Sequence, residues 1–120
     1  MQKNKTFGEF ITQKRYDRGI TVRRMAEIIG TSPSYYSDIE RGRRNPPDSE
    51  AMDKLIRALG LSDGEQIIFF DLVGKARSEV SPDLPEYIMA NEEVRIALRI
   101  AKEKASPADW QRFIDDLERK

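Results

Sequence analysis

The side chains best suited to chemistry lie between residues 21 and 45, where arginines and hydroxyl groups are interleaved with two adjacent tyrosines. A guanidinium group binds phosphate oxygens through paired hydrogen bonds, and a hydroxyl group can bind a phosphate or the edge of a base. Taken alone, the pair Arg43-Arg44 is more simply explained as a solvated charge pair. Its significance depends on the elements that carry it.

The composition excludes most catalytic chemistry. The chain of 120 residues contains no cysteine and no histidine, which excludes disulfides, thiolate nucleophiles, imidazole bases and Cys/His zinc sites. The adjacent carboxylates Glu92-Glu93 and Asp115-Asp116 point apart on a helix and form no catalytic pair. We therefore expect a protein that is not an enzyme, with no catalytic residues, no metal and no cofactor.

Charge and hydropathy bear on the class of partner. Residues 1–60 carry 12 Lys/Arg against 8 Asp/Glu, whereas residues 61–120 carry 9 against 13. This asymmetry favours phosphate near the first half, although an excess of four charges also arises by chance. No apolar run approaches the roughly 20 residues of a membrane span, and the N-terminus lacks the apolar core of a signal peptide. We expect a cytoplasmic protein with no membrane partner.

Cap residues, glycines and apolar spacing predict a series of short helices and no strand. Thr6 is placed to cap a first helix, which carries apolar residues at three- and four-residue spacing and ends before Gly19. Ser62 and Glu65 form a capping box that opens a fifth helix. We predict an all-α fold, with five N-terminal helices followed by a C-terminal helical extension.

The second and third helices are joined by the tight turn Gly30-Thr31-Ser32. Thr21 can cap the second helix and Ser32-Pro33 can open the third, an arrangement of the helix-turn-helix type. Adjacent residues on a helix point about 100° apart. We therefore expect Tyr36 to pack in the core and Tyr35 to face outward.

The segment TVRRMAEIIGTSPSYYSDIERGRRNPP, residues 21–47, resembles the helix-turn-helix of the Cro/phage-repressor-like regulators, also called the xenobiotic-response-element family. The resemblance covers about residues 7–61. It rests on several short features that occur in register, which are Ala26 and Gly30, Ser32-Pro33, Ile39-Glu40-Arg41-Gly42 and Pro46-Pro47. It implies a repressor-like DNA-binding domain and double-stranded DNA as the partner.

The resemblance also implies roles for single residues. The helix from residue 32 to residue 41 would enter the major groove. Base contacts would come from Pro33, Ser34, Ser37 and Asp38. Contacts to the DNA backbone would come from a larger set, which is Thr21, Arg23, Arg24, Tyr35, Arg41, Arg43, Arg44 and Asn45. Two interpretations of Asp38 stay open: an acceptor for cytosine N4, or a surface residue without a role.

Further positions can be compared with the family. Arg15 and Glu40 match positions where relatives place a partly buried ion pair between the first helix and the end of the third, which implies a structural role. Val22 stands where many relatives have glutamine. Arg23 and Arg24 are expected to supply the phosphate contact instead.

Proline spacing divides the chain into two parts. We predict a DNA-binding domain over residues 1–78 with its core at 6–61, a linker over 79–90, and a C-terminal helical pair within 91–120. The pair, at residues 91–104 and 107–117, together with the broadly apolar helix around residues 67–73, is expected to form a homodimer surface. Alternatively, the C-terminal segment is a docking site for a protein antirepressor or a peptidase.

These features together predict a sequence-specific, dimeric transcriptional regulator, a repressor that binds an inverted-repeat operator. The relatives that the chain resembles usually match two recognition helices to half-sites about 34 Å apart. The alternative is an antitoxin-like or adaptor module whose main role is protein interaction and whose DNA binding is secondary.

Overall fold

The computed structural model describes residues 5–120, all of whose regular elements are helices, so the all-α prediction is confirmed. The start of the predicted domain at residue 1 lies outside the described residues. Eight helices follow one another along the described chain: α1 (Phe7–Asp17), α2 (Val22–Ile29), α3 (Pro33–Glu40), α4 (Ser49–Leu59), α5 (Asp63–Arg77), α6 (Pro85–Ala90), α7 (Glu92–Lys104) and α8 (Pro107–Glu118).

Side-chain caps fix where the first five helices begin. The cap oxygen accepts a hydrogen bond from the backbone N–H three residues later, which satisfies a donor that the helix itself leaves free. At α1 and α5 the glutamate at the third helical position accepts a hydrogen bond from the backbone N–H of the cap residue, which completes a capping box. The capping residues are Thr6, Thr21, Ser32, Asp48 and Ser62.

Helices α1 to α5 enclose one hydrophobic core. Tyr36 and Ile39 of α3 are buried in it, and the ring of Phe7 meets that of Phe69 edge to face, with centroids 5.1 Å apart. Helix α5 contributes Phe69 and Val73 to the core. The remaining buried apolar residues are Phe10, Ile11, Met25, Ala26, Ile29, Ala51, Met52, Leu55, Leu59 and Leu61.

Helix α1 approaches the end of α3 so closely that only glycine fits at position 8. A Cβ atom built on Gly8 would lie 2.1 Å from the backbone oxygen of Glu40 and 2.8 Å from its carbonyl carbon. Because both atoms belong to the backbone, α3 would have to move to admit a side chain. The missing side chain therefore sets the distance between the two helices.

The chain divides into two compact units at Asp83 and Leu84. The predicted linker over residues 79–90 spans this division and contains the short helix α6, Pro85–Ala90. Pro85 occupies the first turn of that helix, where a missing backbone N–H is tolerated. Helix α5 ends at its C-cap, Ser78, where the first domain was predicted to end, and the first compact unit continues to Asp83.

The second unit contains α6, α7 and α8, and none of their residues is buried. Arg95 ties α7 to the end of α6, because its Nη1 donates to the backbone oxygens of Ile88 at 2.9 Å and Met89 at 2.6 Å. Asn91 precedes α7 but makes no side-chain cap; its amide nitrogen donates to the backbone oxygen of Tyr87 instead. Ser106 begins α8 with a capping box.

In the part of the chain that the structure covers, no helix has both the length and the apolar character needed to cross a membrane.

Candidate nucleic-acid interface

The turn between α2 and α3 reverses the chain within three residues. Gly30 adopts the left-handed conformation, with φ of 81°, which a residue with a side chain rarely adopts. The backbone N–H groups of Gly30 and Thr31 both donate to the oxygen of Ala26 at 2.9 Å, which closes the end of α2. The hydroxyl of Ser32 then accepts from the N–H of Tyr35 at 3.1 Å and opens α3. The two helices of a helix-turn-helix are thereby fixed relative to each other.

Helix α3 has one buried face and one open face. Tyr36 and Ile39 are 0% and 1% exposed and anchor the helix to the core. Tyr35 points away from the core and is exposed, as expected from its position beside Tyr36. Pro33 and Ser34 are also exposed.

The residues expected to contact bases share the open face of α3. Ser34, Ser37, Asp38 and Arg41 follow the three- and four-residue spacing that places side chains in one row. Ser37 and Asp38 are partly exposed, and Arg41 at the C-cap is exposed. The structure therefore brings the four predicted base-contact residues, Pro33 included, to one side of a single helix, and Arg41, predicted to contact the DNA backbone, follows at its end.

Asp38 has a further set of neighbours that the sequence did not indicate. Its Oδ1 lies 3.8 Å from Nη1 of Arg43, and its Oδ2 lies 3.9 Å from Nε of Arg44. The guanidinium carbon of Arg44 lies 4.4 Å from the ring centre of Tyr35, within the range of a cation–π contact. Asp38 therefore lies within ion-pair distance of both arginines that follow α3, a contact that neither interpretation of this residue included.

The first turn of α2 presents hydroxyl and guanidinium groups beside α3. The hydroxyl oxygen of Thr21 accepts from the N–H of Arg24 at 3.0 Å, which leaves the hydroxyl hydrogen free to donate. Arg24 pairs with Glu27 at 3.1 Å on an exposed surface, and Arg23 is exposed. The start of α2 also carries a partial positive charge from its unpaired N–H groups, which favours an anion there.

Arg15 and Glu40 join α1 to the end of α3 through a two-point ion pair. Nε of Arg15 lies 2.7 Å from Oε2 of Glu40, and Nη2 lies 3.0 Å from Oε1. The side chains are 6% and 9% exposed. Nη1 of Arg15 also donates to the backbone oxygen of Ile20 at 2.9 Å. This geometry is that of a structural pair, which fixes the C-terminal end of α3.

The environment of the pair determines its ionisation. Burial is the largest single influence and would raise the pKa of Glu40, but the hydrogen bonds and charge of Arg15, together with the hydroxyls of Tyr36 and Thr12, outweigh it and leave the pKa below its usual value. The hydroxyl of Tyr36 is buried beside the pair but, among the described residues, has no partner with hydrogen-bond geometry. Burial and then the nearby Glu40 carboxylate raise the pKa of Tyr36.

The segment that follows α3 is bound by a side chain of α5. Asn45 is exposed, whereas Pro46 and Pro47 are buried. Nη2 of Arg77 donates to the backbone oxygens of Pro46 at 3.1 Å and Pro47 at 2.6 Å. Sequence reasoning did not identify Arg77, because about thirty residues separate it from the prolines and no local spacing links them.

A family model described as a helix-turn-helix domain matches residues 6–67. The match spans more than half of the chain, and the chain belongs to this helix-turn-helix family. It includes α1 to α4 and the first turn of α5, and therefore the whole surface described above. No curated protein and no solved structure gave a match. The family supports a DNA-binding role for the N-terminal unit, in agreement with the resemblance to the Cro-like regulators.

Proposed function

We propose that this protein is a sequence-specific transcriptional regulator that binds double-stranded DNA as a dimeric repressor. The observation that carries the proposal is the open face of α3, where potential base contacts are bordered by arginines on a helix anchored by Tyr36 and Ile39. A rigid helix of this kind can enter the major groove as a unit. Buried neighbours fix its orientation, so its exposed side chains need little reorganisation to reach the bases.

Base selection is assigned to the start and middle of α3. Ser34 and Ser37 can donate to or accept from base edges, and Pro33 offers an apolar contact to a thymine methyl group. Asp38 accepts hydrogen bonds only, so a base contact from it would select the amino group of cytosine. These contacts determine which sequence is preferred.

Binding strength is assigned to the groups around α3. Arg41, Arg43, Arg44 and Asn45 follow the helix and are all exposed. In the proposed complex they contact phosphates on one side of the groove. Phosphate contacts from the start of α2 are supplied by Thr21, Arg23 and Arg24, and Tyr35 contributes its hydroxyl or its ring face.

Two copies of the chain are needed for the proposed operator. A single helix of eight residues, α3, reaches only a few base pairs. Two copies related by a two-fold axis would place their recognition helices on an inverted repeat with half-sites about 34 Å apart or a multiple of this distance. The sign of regulation, repression, rests on the resemblance to phage-type repressors.

The experiment that tests this proposal is a salt titration of DNA binding. The probes are a duplex selected from a random library by the wild-type protein and a scrambled duplex of equal length. Arg43→Ala/Arg44→Ala should weaken binding to both duplexes and lower the slope of log K against log salt by about 2, since each lost phosphate contact removes roughly 0.9. Arg112→Ala/Arg119→Ala, with the same charge change in the second unit, should leave the slope unchanged.

Substitution of the serines separates the preference for a DNA sequence from the strength of binding. Ser34→Ala and Ser37→Ala should change the sequence recovered in a new selection while leaving the salt slope near that of the wild type. The docking is refuted if affinity, slope and preference all survive the four changes on and after α3.

The second candidate function is an antitoxin-like or adaptor module, which is favoured by the uncovered apolar residues of α7 and α8. In that case the surface binds a different protein, and DNA binding is secondary. The purified chain would then be monomeric and would show little difference in affinity between the selected and the scrambled duplex.

A further inference from the structure

The second unit, Leu84–Lys120, exposes its apolar side chains instead of enclosing them. Helices α7 and α8 carry seven large apolar residues that are between 38% and 57% exposed, which are Ile96, Leu98, Ile100, Trp110, Phe113, Ile114 and Leu117. Units below about 40 residues usually need disulfides, a metal or association to remain folded. The chain has neither cysteine nor histidine, which excludes a disulfide or a Cys/His metal site and favours association as the means of covering this surface.

The exposed apolar surface forms a shallow, open groove between α7 and α8. A groove of about 500 Å³ is lined by small residues of α7, Ala97 and Ala101, together with Ile100. Its other wall is formed by Trp110 and Phe113 of α8, whose rings meet edge to face with centroids 6.0 Å apart. Small side chains beside large ones form a surface into which another helix can pack closely.

Four residues of α7 form a row along this groove. Glu93, Ala97, Ile100 and Lys104 are separated by four, three and four positions, which is the spacing of one seam of a helix pair. Three of them, Ala97, Ile100 and Lys104, line the groove. The row begins with an acidic residue in the first turn and ends with a basic residue in the last turn.

This row is complementary to itself when two copies run in opposite directions. Glu93 then lies opposite the partner subunit's Lys104, and Ala97 lies opposite the partner subunit's Ile100. The two-fold axis passes between Leu98 and Arg99. A parallel pair would instead set glutamate against glutamate and lysine against lysine. An interface between identical copies around a two-fold axis requires self-complementarity of this kind, whereas an unrelated partner does not.

We propose that α7 pairs antiparallel with α7 of a second copy along Glu93, Ala97, Ile100 and Lys104, and that the aromatic residues of α8 cover the flanks of this pair. This pairing identifies the interface of the dimer in the proposed function. Only the use of that dimer to bind DNA rests on the proposed function. Trp110 and Phe113 become buried when the second copy occupies the groove.

Exchanging the charges at the two ends of the row tests which surface associates and whether the two α7 helices run antiparallel. In Glu93→Lys every cross-pair is lysine against lysine, and in Lys104→Glu every cross-pair is glutamate against glutamate. Each variant should weaken self-association by about tenfold to a hundredfold in sedimentation equilibrium, because two attractive pairs become repulsive. An equimolar mixture of the two should form a heterodimer, and Glu93→Lys/Lys104→Glu should restore the wild-type dimer.

A matched control uses Glu92 and Lys102, which lie one and two positions from the ends of the row. Glu92→Lys/Lys102→Glu and the two corresponding single variants change the same charges outside the row and should associate as the wild type does. The emission of Trp110, the single tryptophan, should shift to the red when the wild type is diluted, since its ring returns to water. Circular dichroism checks that each variant retains its helices.

The outcomes separate this inference from the proposed function. A wild-type chain that is monomeric at 100 µM overturns both the pairing and the dimeric repressor. Binding to the selected duplex is a separate measurement, which tests DNA binding by itself. A wild-type dimer that tolerates both single charge changes, or whose variants fail to form a heterodimer on mixing, overturns the α7 pairing and leaves a dimer formed elsewhere. Weaker association of both single variants, together with their mutual rescue, supports the antiparallel pairing, because a parallel pair would already set like charges together in the wild type.

Discussion

The ion pair between Arg15 and Glu40 provides the sharpest test of how the DNA-binding unit is held together. Glu40→Gln keeps the size of the side chain but removes the negative charge. Arg15 then retains its full positive charge at a position where only 6% of its side chain is exposed. Its one neutral contact, to the backbone oxygen of Ile20, does not balance that charge.

The expected loss of stability follows from this burial. Breaking a buried pair from one side costs about 3–5 kcal/mol, and we take about 3 kcal/mol because the glutamine oxygen still accepts one hydrogen bond from Arg15. Domains of this size are stable by roughly 5–15 kcal/mol. A single substitution should therefore remove a large fraction of the stability of the first unit, although it alters no residue assigned to base contact.

Urea unfolding followed by circular dichroism at 222 nm measures the loss. With a slope of about 1.5 kcal/mol per molar urea, the midpoint should fall by about 2 M. The emission of Trp110, which belongs to the second unit, should show no such fall. The matched control is Glu27→Gln, whose partner Arg24 is as exposed as Glu27 itself, each at 64%. It should change stability by less than about 0.5 kcal/mol.

The double variant Arg15→Met/Glu40→Leu separates a buried charge from simple loss of packing. Removing both charges leaves none to desolvate, so this variant should recover most of the stability that Glu40→Gln loses. The reasoning is refuted if Glu40→Gln lowers the midpoint no more than Glu27→Gln does, or if the double variant is as unstable as the single one.

The same pair predicts a direction for the pH dependence. The pKa of Glu40 in the folded chain lies below its ordinary value of 4.5. The unfolded chain therefore binds the proton more readily, and the contribution of the pair is present above pH 4.5 and is lost as the pH falls through the folded value. The difference in stability between wild type and Glu40→Gln should shrink over that interval, since a protonated Glu40 resembles glutamine.

Two further substitutions test the packing of α3 and the surroundings of its open face. Gly8→Ala should destabilise the first unit by about 1–3 kcal/mol in the same urea assay, because its Cβ would overlap the backbone of Glu40. The control is Gly64→Ala, because a Cβ built on this helical glycine has nothing within 4 Å. This variant should be neutral or stabilising by up to about 1 kcal/mol. Equal effects at the two positions would contradict the close approach of α1 and α3. Asp38→Asn should tighten binding to the scrambled duplex by about threefold, because a carboxylate near phosphates is removed and Arg43 and Arg44 are released. The control Asp116→Asn makes the same charge change beside Arg119, and an equal gain for both variants would show that net charge alone is responsible.

Local features of the sequence predict most of the helices. Thr21, Ser32 and Ser62 cap the helices that they were expected to cap, and Gly30 ends α2 in the left-handed conformation. Each of these signals acts within four residues, so it can be recognised without knowledge of the tertiary structure. Pro85 shows that a local signal can have two meanings, because a proline can interrupt regular structure or occupy the first turn of a helix, and here it begins α6.

Contacts over long sequence separations could not be predicted from spacing. Arg18 donates to the backbone oxygen of Leu59 at 3.0 Å, and Arg77 donates to Pro46 and Pro47. A solvated arginine and an arginine that caps a distant carbonyl look the same in a sequence. The periodicity of α5 likewise did not show which of its apolar residues are core: Phe69 is buried, but Ile67 is 58% exposed.

The two hydrogen bonds from Arg77 also have a consequence for the thermodynamics of DNA binding. They hold the chain that leaves the recognition helix in place before any ligand arrives, so the conformational entropy of that segment is already lost during folding. Association then has to order only side chains such as Arg43 and Arg44. The heat-capacity change on binding should accordingly reflect the contact surface alone, without the additional decrease that accompanies a segment folding on its target.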